Sequence, residues 1–370
     1  AKRIAAQAEA RGLLDGAPGV DGIVAITHSS GCGMDSTGEG MAILRRTLAG
    51  YARHPNVGGV LVLGLGCEVN QVGELSAGLH LPAHVSVRVM TIQELGGSPA
   101  AVREGLAQVE QMLGEMQDVR RAPMPVSELV LGLQCGGSDG WSGLTANPAL
   151  GVASDLLVEY GGTSILGETP EIYGAEHLLL QRAVSAEVGQ RLIDRIRWWE
   201  RYTADNGGSM DNNPSPGNKA GGLTTILEKS LGAVAKAGRS PLREVYEYAE
   251  AVTSRGLVFM DTPGYDPVSV TGMVAGGANV VCFTTGRGSV FGCKPVPSLK
   301  LSTNSDVFRR MPEDMDLDCG TIVEDGESVD AAGARIFGRI VEVASGRRTA
   351  SELLGFGDEE FVPWQLGAVM

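Results

Sequence analysis

The sequence has no C-x-x-C pair, although it holds six cysteines: Cys32, Cys67, Cys135, Cys282, Cys293 and Cys319. Such scattered spacing argues against a zinc ribbon or a thioredoxin-like dithiol. A chain of 370 residues also needs no disulfide scaffold to stabilise a core. No G-x-x-x-x-G-K-[ST] occurs, so ATP binding by a phosphate loop has no support. Long apolar runs are missing too. Residues 58–65 form one of the longest, far below the roughly 18–20 residues of a membrane span. Basic residues are outnumbered, 30 against 44 acidic, for a net charge of −14. No basic stripe is present, which excludes a nucleic-acid partner of the usual electrostatic kind. No leader pattern is visible, and the expected compartment is the cytoplasm.

Glycine is abundant instead. The 53 glycines are about twice the usual share of roughly 7%. They are spread along the chain and imply many tight loops where the backbone approaches something closely. With 43% hydrophobic and 20% charged residues, the composition is globular, and disorder, collagen and coiled coil are excluded.

The length predicts two domains. Residues 23–27, 60–65 and 84–91 read as short strands, alternating with helical patterns at 38–52 and 99–116. Such alternation argues for parallel β-α-β units. A charged stretch with two prolines at 117–125 marks a boundary, giving an N-terminal α/β domain over 1–122 and a C-terminal one over 126–370. In the second, strands are expected at 129–133, 163–167, 257–260, 280–284 and 299–302. Helices are expected at 147–160, 175–205, 240–253, 269–276 and 328–345. The polar stretch 207–222, GGSMDNNPSPGNKAGG, reads as a long loop of the length that is usually functional, or else as a disordered insertion.

Three cysteines share one context. Cys32 in HSSGCGMDSTGEG, Cys67 in LGLGCEVNQ and Cys135 in LGLQCGGSDG each follow an expected strand and are flanked by glycine. In a parallel sheet the carboxyl ends of the strands form the ligand crevice, so these thiols could converge. Thiolates suit iron, iron–sulfur clusters or zinc. The plainer alternative is three small residues fitted beside tight turns. Harder groups share these loops: His28, Asp35 and Glu39, then Glu68 and Asn70, then Ser138, Asp139, Ser142 and Asn147. Glu168, Glu171 and His177 follow a later strand. His28 is a candidate ligand or general base, or a hydrogen-bonded loop histidine. The segment 286–292, GRGSVFG, misses G-x-G-x-x-G by one position. With Arg287, Lys294 and Lys300, and with Lys219 in the polar loop, it suits a carboxylate, phosphate or sulfonate. Alternatively these are solvated loop cations.

At these residues a family becomes visible. GCGMDSTGEG, RTLAGYARHPNVGGVLVLGLGCEVNQ, LGLQCGGSDGWSGLTANPALG, DNNPSPGNKAGGLTTILEKSLG and FTTGRGS resemble the large domain of the altronate and galactarate dehydratases. VFGCKPVPSLKLSTNS, DMDLDCGTI and EFVPWQLGAVM resemble the large subunit of its sulfolactate sulfo-lyase branch. The resemblance implies a smaller α/β domain, often used for dimerisation, followed by a Rossmann-like parallel sheet with an unusual crossover. It implies iron-dependent chemistry on a small anionic 2-hydroxy acid, with mononuclear and clustered iron both open. The implied reaction is β-elimination, from (2R)-3-sulfolactate to pyruvate and sulfite, or else dehydration of a galactarate- or altronate-like acid. A non-catalytic anion-binding subunit is the reading outside enzymes. The family's small β-clip (SAF-type) domain is a separate subunit in the sulfo-lyase branch, which makes such a subunit the expected partner, within a homo-oligomer. On this footing Cys32, Cys67 and Cys135 are the expected metal ligands, and His28, then Lys219, the expected base. Ser138, Asn147, Arg287, Lys294 and Lys300 are the expected substrate contacts.

Overall fold

A computed structural model describes residues 1–367. The chain forms two compact units. One comprises Ala1–Met124 together with the segment from Phe361 onward, and the other is Pro125–Glu360. No described helix is long and apolar enough to cross a membrane.

In the first unit, strands β1 (Gly59–Gly64) and β2 (Ser86–Thr91) pair in parallel, Gly59 opposite Ser86 through Gly64 opposite Thr91. Helices Lys2–Ala10 and Ser98–Glu115 bury Ile4, Ala8, Leu106, Val109 and Leu113 together. They approach closely because residue 105 is glycine; a Cβ there would lie 2.4 Å from Ile4 Cδ1. Residues 23–27, expected as a strand, join no ladder. Ile23 packs against the Ile4–Leu106 cluster, so its apolar character serves burial rather than pairing.

The second unit is an α/β fold around a seven-stranded, all-parallel sheet. Its strands are β3 (Val130–Cys135), β4 (Thr163–Leu166), β5 (Leu242–Tyr246), β6 (Gly256–Met260), β7 (Val280–Thr285), β8 (Ser298–Ser302) and β9 (Leu317–Asp318). The order across the sheet is β5-β6-β4-β3-β7-β8-β9. Every residue of β4, β6, β7 and β8 is buried, as expected of parallel strands covered on both faces. The path gives the sheet its unusual crossover: the chain runs from β4 to the outer strand β5, then returns to insert β6 between them. It next crosses to β7 on the other side of β3. Between β3 and β7 the winding reverses, and at that point α/β sheets open a crevice at the carboxyl ends of their strands.

Two expected helices come out differently. Leu242, Val245, Tyr246 and Ala249 are buried at helical spacing, which made 240–253 read as a helix. The segment is instead the edge strand β5, whose bulge between Leu242 and Glu244 accommodates a spacing of three. The expected helix 175–205 divides into His177–Leu180 and Ala186–Asp205, the second starting where Ser185 accepts from the N–H of Val188. The polar loop 207–222 contains a short helix, Pro216–Ala220, closed by a Ser215/Asn218 capping box. Helix Ile226–Ala235, which follows, was not expected.

Candidate active site

Strand β3 ends on Cys135, and β4 leads through Gly167 into Glu168. Glu168 has φ +66°, a left-handed conformation that costs a non-glycine residue about 1–3 kcal/mol. The end of β6 holds it there. The N–H of Glu168 donates to Thr262 Oγ1 (2.7 Å) and that of Thr169 to the Thr262 carbonyl (2.9 Å). Asp261 Oδ1 accepts from Thr169 Oγ1 (2.5 Å) and Trp199 Nε1 (2.7 Å). Strain held this firmly is characteristic of functional sites.

Glu168 thereby enters a buried group of titratable side chains. Cys135 Sγ and one oxygen each of Glu168 and Glu171 lie within 4.8 Å of one another. The Cys135 thiol faces Glu171 Oε2 at 3.6 Å. Two ammonium groups interleave. Lys236 Nζ is 2.9 Å from Cys135 Sγ and 3.6 Å from Glu168 Oε2, and Lys229 Nζ is 2.5 Å from Glu171 Oε1 and 3.1 Å from Asn213 Oδ1. Asp266, at the start of helix Asp266–Ala275, accepts from Gln134 Nε2 at 2.8 Å. Glu168 Oε2 and Gln134 Oε1 are buried without a hydrogen-bond partner.

Burial pushes the Cys135 thiol up to about 12, so it keeps its proton at neutral pH. Burial, then the charge of Glu171, raises Glu168 well above the carboxylate range and Asp266 to about 6. For Lys236 burial works the other way, but Cys135, Glu168 and Glu171 outweigh it and the ammonium stays charged.

Three glycine-bearing loops adjoin this group at the β3–β7 reversal. Gly136 passes over Asp266 so closely that a Cβ would lie 2.4 Å from Asp266 Oδ2. The N–H groups of Gly286 and Arg287 donate to the Gly137 carbonyl at 3.1 and 2.9 Å. Asn218 Nδ2 donates to the Ser138 carbonyl and the N–H of Gly140 to that of Gly221, both at 2.9 Å. Buried Asp139 ties the arrangement together, accepting from Ser142, Thr303 and Asn304. The Arg287 stem lies along Gly221, its Cδ 3.3 Å from where a Cβ would be. Arg287 and Lys219 are exposed and have no carboxylate partner among the described residues.

Residues 126–369 match the model of the "D-galactarate/Altronate dehydratase, C-terminal" family, and residues 1–117 match that of the "D-galactarate dehydratase/Altronate hydrolase, second domain". The chain belongs to the galactarate/altronate dehydratase family. It is 38% identical over 327 residues to the altronate dehydratase of Bacillus subtilis, covering 88% of this chain and 65% of that protein. Against the galactarate dehydratase (L-threo-forming) of Escherichia coli it is 42% identical over 311 residues, 82% of this chain and 59% of the relative. Against the (2R)-sulfolactate sulfo-lyase subunit beta of Chromohalobacter salexigens it is 34% identical over 323 residues, 86% of this chain and 81% of that subunit. The chain thus spans less than two thirds of the length of these two dehydratases.

In this family member the residues expected from the sequence are placed unevenly. Ser138 and Arg287 are in the joined loops. Asn147 is committed on both sides, Nδ2 to the Gly232 carbonyl (2.9 Å) and Oδ1 to the Thr284 hydroxyl (2.6 Å). Lys294 pairs with Asp358 at 2.7 Å, and buried Lys300 donates to Ser351 Oγ (2.6 Å) and the Phe291 carbonyl (3.3 Å). In the first unit, His28 Nδ1 is 3.4 Å from Ser30 Oγ, and burial lowers its pKa. Cys32 and Cys67 are exposed there, and Cys67 Sγ accepts from Gln93 Nε2 at 3.3 Å. Of the three cysteines, Cys135 alone belongs to a trio of candidate ligands among the described residues. Glu168 and Glu171 join it. Lys229, Lys236, Gln134 and Asp266 escaped the sequence reading. A signal existed: two lysines seven residues apart, two turns along one face of the mostly apolar LEKSLGAVAK.

The trio is a reasonable fit to the implied metal. One thiol and two carboxylates suit a single borderline divalent ion, and Glu168 Oε2 lacks any other hydrogen-bond partner. An iron–sulfur cluster would need further thiolates. Against the fit, Lys236 already occupies the sulfur.

Proposed function

We propose that this chain catalyses β-elimination from a small anionic 2-hydroxy acid. What carries the reading is the buried group of Cys135, Glu168, Glu171, Lys229 and Lys236 beside glycine loops that present Arg287 and Lys219. In such a reaction a base takes the proton α to the carboxylate, a group leaves the β carbon, and the enol formed tautomerises to a 2-oxo acid. The proton is weakly acidic, so the developing aci-carboxylate needs fixed positive charge. Lys229, anchored by Glu171 and Asn213, places an ammonium group where water is excluded and charge acts strongly. A divalent ion held by Cys135, Glu168 and Glu171 would add Lewis acidity at the substrate carboxylate and hydroxyl. Arg287 and Lys219 draw the far anionic end to the loops; the Arg287 fork suits a planar or tetrahedral oxyanion. Lys294, compensated by Asp358, contributes less. Of the two expected bases, Lys219 stands on these loops and His28 in the first unit. Desolvation lowers the His28 pKa, which favours the neutral imidazole that can accept a proton.

Two leaving groups fit. Sulfite, leaving (2R)-3-sulfolactate to give pyruvate, is supported by the likeness to the sulfo-lyase subunit across 81% of its length. Water, leaving a galactarate- or altronate-like acid, is supported as well by the 42% and 38% identities to the two dehydratases. The sulfo-lyase relative is a subunit, which supports a partner for this chain, and the expected one is the small β-clip kind. The test is to incubate the chain, with and without such a partner, with iron, reductant and each acid. Sulfite with pyruvate selects the first reading, and a 2-oxo sugar acid the second. Ligand-induced stabilisation without product from any acid would make it a binding subunit and overturn the proposal.

A further inference from the structure

We infer that Lys236 is the place-holder of a divalent-metal site: its ammonium occupies the position a thiophilic transition ion takes among Cys135, Glu168 and Glu171, and withdraws when the ion binds. This deepens the cofactor part of the reading above, and its test needs no turnover.

The two lysines are held differently. Lys229 is anchored on both sides, by Glu171 Oε1 and Asn213 Oδ1. It therefore consumes one oxygen of Glu171 and leaves Oε2, which faces the Cys135 sulfur. Lys236 makes one close contact, to that same sulfur, and stops 3.6 Å from Glu168 Oε2, too far for a hydrogen bond. Glu168 Oε2 is left with no hydrogen bond in a residue only 1% exposed, where buried acceptors are nearly always paired. Two donor atoms thus face Lys236, one of them short of a partner, and an oxygen of Glu171 lies within 4.8 Å of both the Cys135 and Glu168 ligand atoms. Gln134 Oε1, on the residue before Cys135, is a second buried acceptor without a partner.

Lys236 is also built to move. It directly follows helix Ile226–Ala235 and reaches inward on a flexible four-carbon stem. Asp266, whose Oδ1 accepts from Gln134 Nε2 on the residue before Cys135, offers another carboxylate to turn towards. A divalent ion and an ammonium cannot share one buried contact, because like charges a few ångströms apart repel strongly away from water. Loading is then an exchange. The Cys135 S–H bond breaks, its proton goes to solvent, a sulfur–metal bond forms, and nothing is oxidised or reduced.

The experiment titrates Co2+ into the full-length, reduced, metal-stripped chain. It follows the thiolate-to-cobalt charge-transfer absorption and counts the cobalt retained after gel filtration. Expected is one Co2+ per chain with a charge-transfer band, a band lost in Cys135→Ser, and about tenfold or more tighter binding in Lys236→Met, where the competing charge is gone. Should Lys236→Met fail to fold, as its melting curve would show, Lys236→Arg keeps the charge on a stiffer head and should weaken binding by about tenfold. The inference is overturned by unchanged or weaker affinity in folded Lys236→Met, by unchanged affinity in Lys236→Arg, by a band that survives Cys135→Ser, or by wild-type chain that binds no cobalt.

Discussion

Two regions of the second unit near the candidate site hold positive charge, and they are built by opposite rules. Around Cys135, Lys229 and Lys236 are buried, and each faces a carboxylate within 4 Å. In the glycine loops, Lys219 and Arg287 stand in solvent, and Lys294 is answered at the surface by Asp358. A buried ammonium persists only with its partners, whereas an exposed one is free to meet a ligand. The inner region therefore supports chemistry and depends on balance; the outer region supports capture and depends on vacancy.

The inner region should break most severely. Lys229→Met strands the Glu171 carboxylate, and unfolding in urea should show a loss of about 3–5 kcal/mol. Lys229→Met combined with Glu171→Leu should recover much of it. A full loss in the double variant would mean that Lys229 acts through packing rather than charge.

Arg287→Met should lower kcat/KM for the true substrate by roughly 10–100-fold, the scale of a charge-assisted hydrogen bond of about 1.5–3 kcal/mol, without shifting Tm. Lys294→Met should do less, because its surface pair with Asp358 is worth only about 0.2–1 kcal/mol and already takes its charge. Equal losses in the two variants would erase the distinction between free and compensated cations.

Glu168 joins the comparison through its backbone. Glu168→Gly relieves about 1–3 kcal/mol of left-handed strain but takes the carboxylate from buried Lys236, a loss of about 3–5 kcal/mol, so stability should fall on balance while turnover is abolished. Wild-type turnover in this variant would remove Glu168 from the site.

The smallest effect lies in the first unit. The His28 pKa is lowered in the folded state, chiefly by burial, so below the unfolded value of about 6.5 the unfolded chain binds the extra proton. Stability should fall as pH drops from 6.5 and level off below the folded pKa. His28→Phe should flatten that limb in pH-dependent melting. An unchanged limb would assign it to other groups.

Much of the architecture was legible. The strands expected at 129–133, 163–167, 257–260 and 280–284 are short, largely apolar runs with glycine nearby, and they fall on strands Val130–Cys135, Thr163–Leu166, Gly256–Met260 and Val280–Thr285, while GCGMDSTGEG, LGLQCGGSDG and FTTGRGS carried the family. Strand β5 was not legible, because buried residues at 242, 245, 246 and 249 mimic helical period until a bulge is allowed. The candidate site was half legible. Cys135, Glu168 and Glu171 stood out as chemistry after strands, whereas Asn147 and Lys300, equally polar in the sequence, are absorbed by internal hydrogen bonds.

Local order was thus determined by the sequence itself: which segments form strands, where glycine loops interrupt them, and the acidic surface that leaves a few loop cations conspicuous. Only the tertiary structure decided which charges face one another. Glu168 and Lys236 are 68 residues apart, and a returning strand and a helix end bring them to 3.6 Å. No local spacing encodes that meeting. It depends on the β3–β4–β6 order, because burial and the partner's charge, both set by the fold, govern what a buried carboxylate or ammonium can do.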